Sequence, residues 1–349
     1  MKILRFCLKT PPIKGGMEAH IYHLTNEQIN DEHDVTVVFN AGEKVSVQDI
    51  KISRIKWFAI KPQFIGVLMF GAISIFDLLI KNKKFDIVHV HGDWSAIFIG
   101  RLIVLFGIAK KDALTFHGGI QNNFSHQKLL PFFLKKVFVT FATGYESYQF
   151  LKKYNSNTHF QPSGVNPFFF ETRNKKKEDK KYDVVSVANF FPVKNQKFIL
   201  EIAEILKEYS FILVGDGPTQ LDVETMIKKR NLSNVSCVGF KDYEAIAVLM
   251  FESKVFLLTS LEEGTPTSMM EAITMGLPIV ISDVGGISNF IGEANGSVQK
   301  EFNPELYSEK IRELIEDNTM YNTMKENNFI FSARFEWSSV AKFITSKYE

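Results

Sequence analysis

Short apolar runs alternate with longer amphipathic stretches along almost the whole chain. KILRFCL, DVTVVF, FDIVHVHG, DALTFHGG and KVFVTFAT come first, and YDVVSVAN, SFILVGDG, VSCVGF, VFLLTS and PIVISD follow. This order predicts an α/β protein with parallel sheets covered by helices on both faces. Between the two sets, GVNPFFFETRNKKKEDKKYD (164–183) breaks the pattern with a proline and a charge run, which predicts a solvated linker near residues 165–181. Two doubly wound, Rossmann-like domains follow, 1–165 and 166–332. Ligands of such sheets sit outside the carboxyl ends of the strands, so the two domains are expected to face each other across a cleft. The closing FEWSSVAKFITSKY reads as one more amphipathic helix.

FIGVLMFGAISIFDLLI (64–80) is the most membrane-like segment, but Asp77 interrupts it. It falls short of the roughly 20 apolar residues that a spanning helix needs. A buried or membrane-grazing helix is expected, hence a soluble or peripheral protein. The start, MKILRFCLKTPP, is broken by Arg5 and Lys9 and reads as a first strand rather than a signal peptide.

At 349 residues and 45% hydrophobic content, the chain can build two cores. Its formal net charge of +2 conceals an asymmetry: residues 1–165 hold 20 Lys/Arg against 12 Asp/Glu, and the remainder 21 against 27. A basic first half suits an anionic membrane, a nucleic acid, a phosphorylated substrate or plain solvated lysines, and charge alone does not choose. The only cysteines, Cys7 and Cys237, give neither a disulfide framework nor a zinc pattern, and they suit a reducing cytoplasm.

Five stretches carry candidate chemistry. KGGMEAH (14–20) follows the first strand, and Gly15 and Gly16 allow close approach of a phosphate to a helix N-terminus; a plain strand-to-helix turn would look the same. In HVHGDW and TFHGG, His89 and His91 share a strand face and His117 ends the next strand. A polar contact at the cleft is expected for His117 and structural hydrogen bonding for His89; without an acidic or cysteine partner at ligand spacing, no metal is assigned. Lys194, in VANFFPVKN, is placed to neutralise a leaving phosphate, although a lone loop lysine is usually just solvated. LVGDGP, with Gly215 and Gly217, lacks the third glycine of a dinucleotide fingerprint because Gln220 stands there.

The fifth stretch is EEGTPTSMME. Pro266 fits the first turn of a helix with Thr265 or Thr267 as its cap, Glu263 lies in the loop before it, and Glu271 sits one turn inside. A phosphate at that N-terminus would have one carboxylate on each side to accept hydroxyl protons, the layout of a nucleotide sugar; two acids favouring a helix dipole is the plainer reading. A second glycine pair, Gly285-Gly286, follows the strand PIVISD.

Taken together, these residues resemble the retaining glycosyltransferases of family 4, which have the GT-B fold. The likeness runs in order through nearly the whole chain: Gly15-Gly16, TFHG, SGVN (163–166), the Lys194 loop, VGDGP, the acids Glu263 and Glu271 in E-x7-E spacing, MGLPIVISDVGG and the closing helix. It implies that the second domain grips a nucleotide diphosphate sugar and the first the acceptor. By the same likeness, Glu263 contacts the sugar hydroxyls, Glu271 the ribose, and Lys194, Gly16 and the helix start near Gly264, Thr265, Pro266 and Thr267 the diphosphate. His117 would lie by the sugar, Gly15, Asn189 and Gly215 would line the donor site, and a helix of about 333–349 would pack back on the first domain. Where the family commonly has Gly-Arg, this chain has Ala188-Asn189, which removes half of the positive phosphate clamp.

The expected function is metal-independent, retaining transfer of a sugar to a glycan or lipid-linked acceptor in cell-surface polysaccharide synthesis. No cofactor is implied beyond the nucleotide sugar, and no nucleic acid. A cytoplasmic protein on an anionic membrane surface fits the lysine-flanked segment 61–84 and KLLPFFLKKVF (128–138). A nucleotide-sugar epimerase or hydrolase of the same fold, or a non-catalytic partner subunit, are the alternatives.

Overall fold

The computed structural model describes residues 1–13, 16–46, 48–52, 55–117, 130–174 and 180–349. These form two compact units, Met1–Gly164 with Trp337–Glu349, and Val165–Glu336.

The strands of the first unit are β1 (Lys2–Phe6), β2 (Asp34–Phe39), β3 (Ile50–Lys51), β4 (Phe85–His91), β5 (Ala109–Phe116), β6 (Val139–Ala142) and β7 (Thr158–Phe160). They lie in the order β3-β2-β1-β4-β5-β6-β7, each pair parallel. Around them are α1 (Gly16–Asn30), α2 (Gln63–Ile80), α3 (Trp94–Leu105), α4 (Leu130–Leu134) and α5 (Tyr145–Lys152). Because the sheet grows one way from β1 and the other way from β4, adjacent loops diverge to opposite faces at their carboxyl ends and open a crevice there.

The second unit repeats the plan. Its strands are β8 (Tyr182–Val187), β9 (Phe211–Val214), β10 (Val235–Cys237), β11 (Ser253–Leu258), β12 (Ile279–Ser282) and β13 (Gly296–Gln299), ordered β10-β9-β8-β11-β12-β13 and again parallel. The helices are α6 (Pro167–Arg173), α7 (Gln196–Ile205), α8 (Gln220–Lys229), α9 (Tyr243–Phe251), α10 (Thr267–Thr274), α11 (Pro304–Glu316) and α12 (Asn318–Ser332). The order reverses between β8 and β11. Central strands such as FILV and IVIS are buried on both faces, as parallel sheets under two helical layers must be.

Two expectations need correction. The segment after residue 164 is not a linker at its start: Asn166 accepts from Phe168 N at 3.1 Å, Pro167 opens α6, and Phe169 is fully buried in the second core. An Asn-Pro cap and an apolar triplet outweighed the charge run behind them; residues 175–179 lie outside the described residues. The edge strands β3, β7 and β13 were also missed, since IK, THF and GSVQ are too short and too polar to register as strands.

α13 (Trp337–Ser346) belongs to the first unit, where it packs on α1. Val340, Ala341 and Ile344 are fully buried in a cluster with Ile3, Leu24 and Val35. Beyond the helix, Tyr348 Oη bonds His89 Nδ1 at 2.6 Å, and Gln28 Nε2 donates to Thr345 Oγ1 at 2.8 Å. Gln28 Oε1 in turn accepts from the guanidinium of Arg5, which is wholly buried and also donates to Thr25.

α2 is the one described helix long and apolar enough to cross a membrane by length and composition. Its inner face packs within the domain: a Cβ on Gly71 would stand 2.2 Å from Ile99 of α3, so glycine lets the two helices touch. Its outer face leaves Ile65, Met69, Ile73, Phe76, Leu79 and Ile80 exposed.

Candidate active site

In the second domain the loops leaving β8, β9, β11 and β12 converge at the strand reversal. Leu261 N donates to Val193 O at 2.7 Å and Thr259 Oγ1 to Asn195 O at 3.1 Å, which ties the loop after β11 to the turn before α7. The result brings Lys194 Nζ to 2.5 Å from Glu263 Oε1, and the same oxygen accepts from Ser260 Oγ at 2.6 Å. Glu263 is 8% exposed at its side chain and Lys194 24%, so the pair is sheltered yet open on one side. Ser260 had no sequence signal beyond standing three residues before Glu263.

Two glycines shape the floor. At Gly285, φ is +64° and a Cβ would lie 1.9 Å from Glu263 O; at Gly215, φ is +135° and a Cβ would lie 2.1 Å from Ala188 O. Both permit backbone contact that no other residue fits. Asn189 is exposed beside them, its carbonyl accepting from Gln196 Nε2 at 3.0 Å.

The expected threonine cap of α10 is absent. Pro266 occupies the cap position with no side-chain bond, Thr267 is the first helical residue, and Gly264 and Thr265 lead into it half-buried. Proline's fixed φ ends the loop without a capping hydroxyl, so the helix start keeps its N–H groups for another acceptor.

Glu271, one turn inside α10, is 5% exposed, and burial pushes its carboxyl up to about 8. At neutral pH it therefore both donates and accepts. The sign of the linkage is clear: below about pH 4.5 the group is protonated folded and unfolded alike, whereas from there to about 8 the unfolded chain ionises and the fold resists, so stability falls as pH rises. Glu271→Gln should erase this slope in thermal denaturation, matching the wild type near about pH 4 and exceeding it near about pH 9. Parallel curves for the two proteins would refute the assignment.

In the first domain, His117 follows β5, and burial lowers its pKa to about 4, so its imidazole is neutral at pH 7. Its Nε2 lies 3.1 Å from His91 Nδ1. His89 turns elsewhere, bonding Thr115 Oγ1 at 2.8 Å and Tyr348 through its two nitrogens. Gly16 begins α1, with its position exposed; Gly15 lies outside the described residues. The sequence reading overlooked His20, whose Nδ1 is 2.9 Å from Ser163 Oγ, although it stands four residues after Gly16 in the stretch already singled out.

Two family models divide this chain between them: Glycosyltransferase Family 4 matches residues 14–167, and Glycosyl transferases group 1 matches 168–330. The chain belongs to glycosyltransferase family 4. An uncharacterized glycosyltransferase of Methanocaldococcus jannaschii is 23% identical over 362 residues, covering 100% of this chain and 98% of its own. The GPI3 subunit of phosphatidylinositol N-acetylglucosaminyltransferase of Saccharomyces cerevisiae is 25% identical over 300 residues, 79% of this chain but only 66% of that subunit. Among solved structures, a glycosyltransferase from Rickettsia africae superposes with a TM-score of 0.79 at 18% identity, covering 99% of this chain and 97% of its own. HepE from Anabaena, solved in complex with UDP, gives 0.76 at 17% identity with 99% of both chains covered. The architecture of this family-4 glycosyltransferase is accordingly GT-B, with two parallel-sheet α/β domains.

Proposed function

We propose that the second domain of this glycosyltransferase binds a nucleotide diphosphate sugar, whose sugar the enzyme passes with retained configuration to a glycan or lipid-linked acceptor for cell-surface polysaccharide. The observation that carries this reading is the sheltered Lys194–Glu263 pair beside the uncapped start of α10. Glu263 accepts hydroxyl protons of the sugar, Glu271 engages the ribose, and Lys194 with the N–H groups from Thr267 onward holds the diphosphate. In transfer, the bond from the anomeric carbon to the phosphate oxygen breaks and a bond to the acceptor oxygen forms. The acceptor's proton passes to the leaving phosphate on the same face, so no side-chain nucleophile is needed. Negative charge growing on that phosphate is met by Lys194 and the helix dipole, which supply the stabilisation a metal would otherwise give. Gly16 and His117 of the first domain keep the roles that the family likeness implies for them. The complexes of HepE with UDP and with UDP-glucose support a donor of this class.

A thermal-shift screen against UDP, GDP, ADP, CMP and their sugars tests the reading. One nucleotide class should raise the melting temperature, by the equivalent of about 2.7 kcal/mol at a hundredfold excess over Kd. No response to any of them would overturn it.

The same proposal puts the enzyme at work in the cytoplasm, on an anionic membrane surface. Support comes from α2, whose exposed apolar stripe runs its whole length between Lys61 and the exposed Lys81, Lys83 and Lys84, and continues into the exposed Leu105 and Phe106 at the end of α3. Lys84 Nζ joins the two ends by donating to Gly107 O at 2.8 Å. The protein should float with phosphatidylglycerol vesicles at low salt, and Phe76→Glu should abolish flotation. Equal flotation of the two proteins, or none by the wild type, would remove the membrane from this account.

A further inference from the structure

The first domain gathers imidazoles that the transfer reaction does not use as a group. One ring nitrogen each from His20, His91 and His117 come within 4.8 Å of one another, from α1, the end of β4 and the residue after β5. The fold itself makes the cluster, since these three elements meet where the strand order reverses. The sequence spacing of His89, His91 and His117 offered no such set, because the third imidazole comes from a helix about 70 residues earlier.

Hydrogen bonding leaves the cluster unfinished. His20 Nε2 is buried without a partner among the described residues, on a side chain 1% exposed. His20 can donate Nδ1–H to Ser163 Oγ at 2.9 Å, which would turn the lone pair of Nε2 toward open bonding. Such a hydroxyl or carbonyl partner on the second nitrogen is what fixes the tautomer of a metal-bound histidine. The 3.1 Å between His91 Nδ1 and His117 Nε2 is close to the roughly 3.4 Å separating two nitrogens that share a tetrahedral ion at ~2.0–2.1 Å.

We propose that His20, His91 and His117 form a three-histidine site for a late first-row divalent cation, zinc above all, in the first domain of this protein. Three imidazoles without a carboxylate select zinc, copper or nickel over magnesium or calcium, and they leave a fourth position for water or another oxygen. The buried charge of Arg5 on β1 bears on His20 and His91 and opposes a cation, so binding is weaker than at a carboxylate-supported site. The ion takes no part in sugar transfer: by claiming His117 it would compete with the role given to that residue above. The site stands or falls without that role, because the test below uses no nucleotide or sugar.

Tag-free protein, stripped with a chelator, is dialysed against zinc in the presence of a weak competing chelator and its metal content is measured. The wild type and His23→Gln should each retain about one zinc per chain, whereas His20→Gln and His117→Gln should retain less than about a tenth. Cobalt in place of zinc should give the visible bands of a tetrahedral nitrogen site in the first pair only. Circular dichroism confirms that the variants are folded before their content is read. No zinc in the wild type, or equal zinc in the folded His20 and His117 variants, would overturn the proposal.

Discussion

Glu263→Gln should lower sugar transfer by roughly 10²–10³-fold, the cost of losing one fixed electrostatic contact in a transition state. The substitution keeps the shape of the side chain and an oxygen able to accept from Ser260 and Lys194. What disappears is the negative charge. Lys194 then has no carboxylate to hold its ammonium in place, and the sugar hydroxyls lose their strongest acceptor. Because the proposed diphosphate and ribose contacts do not involve Glu263, the nucleotide alone should shift the melting temperature of the variant as much as that of the wild type. Separate measurement of turnover by product chromatography and of nucleotide binding by thermal shift distinguishes this loss from a misfolded pocket. Full turnover in the variant would show that Glu263 does not touch the reacting sugar.

Removal of residues 337–349 should destroy the first domain. Trp337, Val340, Ala341, Ile344 and Tyr348 are all at most 7% exposed within it. At about 1.5–3 kcal/mol for each large apolar side chain, the loss is on the order of 10 kcal/mol, as large as the whole stability of an ordinary domain. Polar accounts worsen the balance, for Gln28, which receives Arg5, loses Thr345, and His89 loses Tyr348. The truncated protein should show rapid proteolysis of residues from 1–164, while the second domain keeps a cooperative unfolding transition. A truncated chain with both transitions intact would contradict this.

The two-domain α/β plan could be read because buried parallel strands must be apolar runs, and ten of them stand out in this sequence. Glu263 and Glu271 could be singled out for a related reason: they flank a Gly-Thr-Pro turn whose geometry is local. What escaped was set by tertiary contact. Ser260 matters because two loops from different strands cross there, and His20 because α1 passes the ends of β4 and β5. Neither relation leaves a period or a spacing in the chain. The Thr265 or Thr267 cap failed for the opposite reason, since a local rule gave way to the position that Pro266 actually takes.

The strand β1 and the helix α13, which lie together in one core, are more than 300 residues apart in the chain. During synthesis the domain that emerges first from the ribosome cannot be finished until residues 337–349 have been made. The second domain, continuous from Val165 to Glu336, can close while its predecessor still waits for its final helix. The order of birth and the order of completion are thus reversed, and the unfinished sheet is the part of the nascent chain that most needs a chaperone's cover.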